Sequence, residues 1–201
     1  MNRNLKFLVA VCERIVLIAV AAPYVLAIAR SLPTHPTFFL AAASEILAAF
    51  FVLIQKRGEV TIRAYALTIA VAGTCASMLV RPGGIAVLPS IVTGTMMFVG
   101  LAISVWSKLV LNRSFGIFAA NRGVKNGGPY RLVRHPMYLG YIISQLGFLC
   151  ANLSTRNLVV YAVAWAFQLA RILEEEKLLR QDEAYRTFSE RVRYRLVPGV
   201  F

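Results

Sequence analysis

Charge is scarce in these 201 residues: 15% are Asp, Glu, Lys or Arg, against 58% hydrophobic, with a mean hydropathy of +0.65. A soluble domain of this length is not that apolar, so the composition excludes one and indicates an integral membrane protein. Cysteine is scarce too. Cys12, Cys75 and Cys150 lie singly inside apolar runs, without metal-ligand spacing or pairing, so no metal centre and no disulfide framework is expected. There is no internal repeat or low-complexity segment, and no G-x-G-x-x-G strand–turn–helix, which removes the soluble Rossmann type of nucleotide site. Acid is missing where base is richest: Lys108 to Arg134 contains Lys108, Arg113, Arg122, Lys125, Arg131 and Arg134 and no Asp or Glu.

What the sequence does hold is a series of apolar segments with Lys and Arg between them. The net charge of +13 would suit nucleic acid, but the basic residues form no stripe, and inside-positive loops account for them without a nucleic-acid partner. After a basic lead, Met1 to Lys6, a first span runs to about Ala29. Glu13 and Arg14 interrupt it, which together with its length argues against a signal peptide. The two prolines of Ser31 to Pro36 make a turn, and a second span covers Thr37 to Ile54 with Glu45 inside it. A carboxylate at that depth should face the bundle and pair, with Arg14 the expected partner. Lys56, Arg57 and Arg63 bracket a polar loop. A third span, Ala64 to Val80, ends at the Arg81-Pro-Gly-Gly84 turn, and a fourth, Ile85 to Leu111, exceeds the ~20 residues a crossing needs. Two shorter apolar stretches, Pro136 to Ala151 and Asn157 to Ala170, are joined by Asn152 to Arg156 and read as a short helix-turn-helix pair.

The expectation is therefore an all-α integral membrane protein of about six transmembrane helices, a single domain with four spans in 1–111 and a catalytic region in 112–201. Loop charge orients it. With Met1 inside, the 56–63 loop, the 108–134 loop and the C-terminal tail share one side, leaving Arg30, Arg81 and Arg156 on the other. This makes a multi-pass membrane protein, of the cell membrane if bacterial, with both termini and the C-terminal site cytoplasmic.

Two polar blocks stand out. In Gly128-Pro-Tyr-Arg-Leu-Val-Arg-His-Pro-Met-Tyr-Leu-Gly140, Pro136 signals a helix start, because its missing N–H would have no partner there. Arg131, Arg134 and His135 then sit at the mouth of an apolar helix whose free N–H groups carry partial positive charge, a place for an anionic or polar ligand. The plain alternative is that the arginines are ordinary cytoplasmic anchors. Downstream, Arg171, Glu174, Glu175 and Leu178 fall at spacings of three and four and share a helical face, with Glu176 and Lys177 pointing elsewhere. Arg191 to Val197 alternates basic and apolar residues, as an extended strip does. It is expected to lie on anionic headgroups, with folding back over the site as the alternative.

The first block, G-x-Y-x-x-x-R-H-P-x-Y-x-G, and the second, Arg171-Ile-Leu-Glu-Glu-Glu-Lys-Leu-Leu179 followed by Tyr185, Phe188, Val192 and Leu196-Val-Pro-Gly-Val-Phe201, resemble the isoprenylcysteine carboxyl methyltransferase family and the related phospholipid methyltransferases. The resemblance covers about the last seventy to ninety residues. It implies an O-methyltransferase dependent on S-adenosylmethionine, releasing S-adenosylhomocysteine. Its acceptor would be an isoprenylated cysteine carboxylate or a similar lipid, reached from the bilayer. By the same resemblance Tyr130, His135, Pro136, Met137 and Tyr138 would line the cofactor site, Glu175 would hold one of its polar groups, and Arg171 would bind the acceptor carboxylate. Where eukaryotic members carry His-x-Leu-Val before the tyrosine, this chain has Arg122-Gly-Val124-Lys125, so only Val124 carries over. A phospholipid amine N-methyltransferase and an NADPH-dependent sterol-type reductase, the latter suggested by Tyr194-Arg-Leu-Val-Pro198, are the alternatives.

Overall fold

The computed structural model describes residues 11–15, 18–19, 22, 26, 46–56, 59–60, 63–116 and 118–201. Most of the first span, the Ser31 to Pro36 turn, Arg57, and Glu45 with its expected Arg14 partner lie outside the described residues or depend on them. What is described is mostly helical. Residues 46–53 are helical, and five labelled helices follow: α1 (Ala64–Ala76), α2 (Ser90–Leu111), α3 (Pro136–Ala151), α4 (Thr155–Leu179) and α5 (Glu183–Arg191). Two short antiparallel strands, β1 (Glu59–Val60) and β2 (Ala120–Asn121), tie the loops together with Val60 opposite Ala120.

The helix expected at Pro136 begins there, with proline at its first turn. The expected fourth span starts later than Ile85. Ile85 exchanges backbone hydrogen bonds of 2.9 and 3.0 Å with Leu153, and helix begins only after Pro89, whose ring rules out a continuing N–H ladder. With its short 3₁₀ extension to Ser114, α2 is the one helix among the described residues that is long and apolar enough to cross a membrane. The apolar helices α1 and α3 are shorter.

The pairing of helices also differs from expectation. Consecutive in sequence, α3 and α4 touch little; α3 packs along α2 and α4 along α1. Glycine explains the first pair. A Cβ added at Gly140 would lie 2.5 Å from the Gly100 carbonyl oxygen and 2.8 Å from the Ser104 nitrogen. The two backbones are in contact, as small residues allow where water exclusion cannot drive association. The turn between α3 and α4 is fastened to the 81–84 turn by the buried Asn157, whose Nδ2 donates to the carbonyls of Arg81 (2.9 Å) and Asn152 (2.8 Å).

As anticipated, α4 does not stop where its apolar run ends. Its 25 residues extend ~37 Å at 1.5 Å per residue, carrying the helix through Arg171 to Leu179, past the end of the apolar run. There α5 folds against it, capped by Asp182, whose carboxylate accepts from the Ala184 N–H at 2.9 Å. The strip after α5 folds back instead of lying free for headgroups. Arg134 N–H donates to the Tyr194 carbonyl (3.0 Å) and His135 N–H to that of Arg195 (2.8 Å), while Leu196 is buried. Main-chain groups at 134–135, left without helical partners by Pro136, are the reason for this arrangement. The core behind the site joins Val52, Phe115, Met137, Ile172 and Leu196.

Candidate active site

The site is organised by a residue the helical-face reading turned outward. Glu176 is buried, and its carboxylate gathers donors from three parts of the chain. Arg134 donates through Nε (2.6 Å) and Nη2 (3.2 Å), Tyr185 through its hydroxyl (3.1 Å) and Arg195 through Nε (3.1 Å). His135 Nε2 stands 3.3 Å away. Burial opposes ionisation of Glu176, but the hydrogen bonds and charges of His135 and Arg134 outweigh it and hold this carboxyl well below its ordinary value of 4.5. Tyr185 is pushed up, first by its burial and then by the Glu176 charge. The remaining Arg134 nitrogen, Nη1, donates to the carbonyls of Val192 (2.7 Å) and Arg193 (2.8 Å). Arg134 is thus neutralised and spent on structure. It is neither a loose cytoplasmic anchor nor a free anion binder.

Above this hub a cavity of about 730 Å³, counted with its open mouth, lies between the 114–125 loop, the start of α3, the end of α4, and α5. Of the sequence candidates, Val124, Tyr130, His135, Met137, Tyr138 and Glu175 line it. Pro136 is buried at the first turn of α3 and does not reach the wall. Arg171 sits behind the wall, its guanidinium carbon 5.5 Å from the centre of the Tyr138 ring and its Nη2 donating to the Gly116 carbonyl at 3.5 Å. The Tyr138 hydroxyl donates to Glu175 Oε2 (3.2 Å), and His135 Nδ1 is 3.8 Å from that oxygen. Arg171 and Glu175 therefore meet the same tyrosine, from ring face and hydroxyl respectively.

Glu174, grouped with them by spacing, belongs elsewhere. It binds Lys177 Nζ at 2.5 Å and faces Arg63 at 4.0 Å, because residues one apart on a helix point about 100° apart. Of three consecutive glutamates, one meets the basic loop ahead of α1, one the cavity and one the hub. Position alone does not say which.

Arg122, set aside as a departure from the family pattern, also lines the cavity. It is buried, with Nη2 3.3 Å from Glu13 Oε2 and Nη1 donating to the Phe118 carbonyl. Its burial lowers its pKa, opposed by the Glu13 charge. Glu13 itself accepts from the Phe118 N–H and from Gln55 Nε2, each at 3.0 Å. The signal for this link was available: a carboxylate in the first apolar run needs a partner. Phe115, Phe118, Tyr185 and Phe188 add aromatic faces to the lining, beside the basic Arg122, Lys125 and Arg134, and no metal-binding cluster is found among the described residues.

These features define a class: an α-helical protein with a membrane-length apolar helix and, at the end of α4, a cavity lined by aromatic and basic residues and one mostly buried carboxylate, Glu175. Comparison with protein families makes it specific. Residues 85–181, just under half of the chain, match the model of the isoprenylcysteine carboxyl methyltransferase (ICMT) family, and over that stretch the chain is similar to it. That family consists of membrane-embedded methyltransferases of the isoprenylcysteine type whose methyl donor is S-adenosylmethionine. No curated protein matches the chain.

Proposed function

We propose that the cavity binds S-adenosylmethionine and that the chain transfers its methyl group to the carboxylate of a lipid-borne acceptor, an isoprenylated cysteine or a close analogue. The observation that carries this is the convergence of Tyr130, His135, Met137, Tyr138 and Glu175 on one wall, with Arg171 directly behind Tyr138. The lining fits the cofactor: aromatic faces and the Glu175 carboxylate suit its cationic sulfur and nitrogen, and Arg122 and Lys125 suit its carboxylate. When bound, the cofactor supplies an electrophilic methyl; the acceptor oxygen forms the new O–C bond while the S–C bond breaks and its electron pair stays on sulfur.

The chain's own residues bind, orient and exclude water. Glu175 takes a polar cofactor group, and Tyr138, held through its hydroxyl by Glu175, fixes the wall between the two ligands. Arg171 docks the acceptor carboxylate with two parallel donors, which a lysine could not offer. No general base is required, since a carboxylate is ionised at neutral pH. The gain comes from holding two reactants in line and dry. Arg134, His135 and Glu176 keep the wall rigid. In this reading residues 1–111 supply four membrane spans and 112–201 the catalytic region, with the site on the cytosolic side and the acceptor arriving from the bilayer.

Thermal unfolding of the purified protein with S-adenosylhomocysteine and, separately, NADP provides the test, with labelled-methyl transfer to a prenylated cysteine as its second arm. Saturating S-adenosylhomocysteine at 100 times its Kd should raise Tm by on the order of 5–10 °C, and NADP should leave it unchanged. A shift with NADP alone would instead favour the reductase reading. Transfer only to amino headgroups would favour the phospholipid N-methyltransferase.

A further inference from the structure

In the seam where α3 and α4 draw apart, one turn of α4 before Arg171, lies a polar cluster that the site described above does not use. Gln145 Oε1 accepts from the indole Nε1 of Trp165 (2.8 Å) and from Gln168 Nε2 (3.4 Å). Trp165 is stacked on Tyr161, with ring centres 5.8 Å apart and planes 10° off parallel. Gln168 is only 7% exposed, and its Oε1 has no hydrogen-bond partner among the described residues. A glutamine serving only to join two helices is satisfied through both ends of its amide where possible, because an unpaired acceptor in an apolar seam is costly. Here one end is tied to the other helix and the other is left open.

We propose that Gln168, oriented by Gln145, is a specificity-determining residue for the acceptor: its Oε1 receives an N–H or O–H carried two bonds from the reacting carboxylate. The inference rests on the carboxylate reading of Arg171. Three residues of α-helix place Gln168 about 4.5 Å along the axis from Arg171, the separation suited to a donor on the carbon next to the carboxylate. An α-amido acid meets that requirement. A simple fatty or isoprenoid acid does not, and it would leave Oε1 buried and unpaired, the situation in which polar sites discriminate most strongly. Trp165 and Tyr161 close the same seam with flat apolar surface, suited to the hydrocarbon portion of such an acceptor.

The test compares two acceptors that differ only in the donor: a prenylated N-acetylcysteine and the equally prenylated 3-mercaptopropionate, which keeps the thioether and carboxylate but lacks the amide. Wild-type protein should prefer the amide acceptor in kcat/KM by on the order of 10- to 100-fold. Gln168→Leu should collapse that preference to near unity while leaving the mercaptopropionate rate and S-adenosylhomocysteine affinity as they were. Gln168→Glu, which keeps an acceptor oxygen in place, should retain the preference and guards against a Leu variant that fails to fold. Equal losses on both acceptors, or no preference in the wild type, would overturn the proposal and leave Gln168 a helix-joining residue. Binding is followed separately by Trp165 fluorescence in a Trp106→Phe background. If the amide acceptor binds preferentially there but is never methylated, the reaction assignment fails and the subsite stands. If both acceptors are methylated alike, the reaction stands and the subsite fails.

Discussion

At the scale of single residues, the separation of Arg171 from Glu175 by one helical turn, with Tyr138 between them, is what allows two ligands to be handled by one helix. Arg171→Lys keeps the charge and loses the two-pronged geometry, so turnover should fall on the order of 100-fold with little change in cofactor affinity. Glu175→Gln should do the reverse, weakening S-adenosylhomocysteine binding by roughly tenfold, about the value of one charged hydrogen bond. Titration calorimetry and initial rates on both, and on the double variant, check this. Matching effects of the two single changes on both ligands, with no further loss in the double, would make the pair scaffolding.

Glu176 makes a different kind of prediction, in pH. Its carboxyl ionises more readily folded than unfolded, so its contribution is fully present above the unfolded value near 4.5 and drains away as pH falls below it. Wild-type Tm should accordingly decline as pH drops from about 5 towards 3, and Glu176→Gln should start lower at neutral pH and decline less steeply. Removing one partner from a buried ion pair costs about 3–5 kcal/mol, and differential scanning calorimetry across that pH range reads both effects. Glu176 was the least legible of the site residues. In a run of three glutamates nothing local distinguishes it, and what turns it inward, Arg134, Tyr185 and Arg195, is supplied by segments 9 to 42 positions away.

At the scale of elements, the legible features were those with a local cause. Pro136 starts α3, and α4 outlasts its apolar run because Arg171 to Leu179 continue its helical spacing. The choice of partners was not legible. Sequence adjacency favoured pairing α3 with α4, whereas the contact is decided by where glycines on different segments come into register. Gly140→Val should therefore destabilise the protein by about 1–3 kcal/mol by driving side-chain atoms into the Gly100 backbone. Gly94, on the same helix as Gly100 but with nothing within 4 Å of an added Cβ, is the control. Gly94→Ala should be neutral or slightly stabilising. Chemical denaturation in mild detergent would compare the three proteins. Comparable losses in both variants would mean that helix propensity, not backbone contact, sets the response.

At the scale of the whole molecule, the basic 108–134 connection and the tail meet in one structure, around Glu176, and so share a side of any membrane. Cysteine introduced at Lys125 or Ser189, in a background lacking Cys12, Cys75 and Cys150, should be labelled by an impermeant reagent only from the cytosolic face. Labelling from outside would reverse the proposed topology and the cofactor's route. Composition indicated a membrane protein, and one helix among the described residues is long and apolar enough to cross a membrane; the span expected from Ile85 starts only after Pro89 because loop 85–89 pairs with Leu153 instead.

The tail's return to the His-Pro motif has a further implication, for biosynthesis. Arg134 waits for a carbonyl 59 positions later in the chain, and at ~5–20 residues per second a ribosome takes several seconds to deliver it. During that interval α3 and α4 are made while the wall of the cavity lacks its closing segment, and Glu176, once made, still lacks Arg195. The site therefore closes only after the helices that carry it have been made. A chain stopped between Glu176 and Arg195 should not retain S-adenosylhomocysteine, and completing it should restore binding.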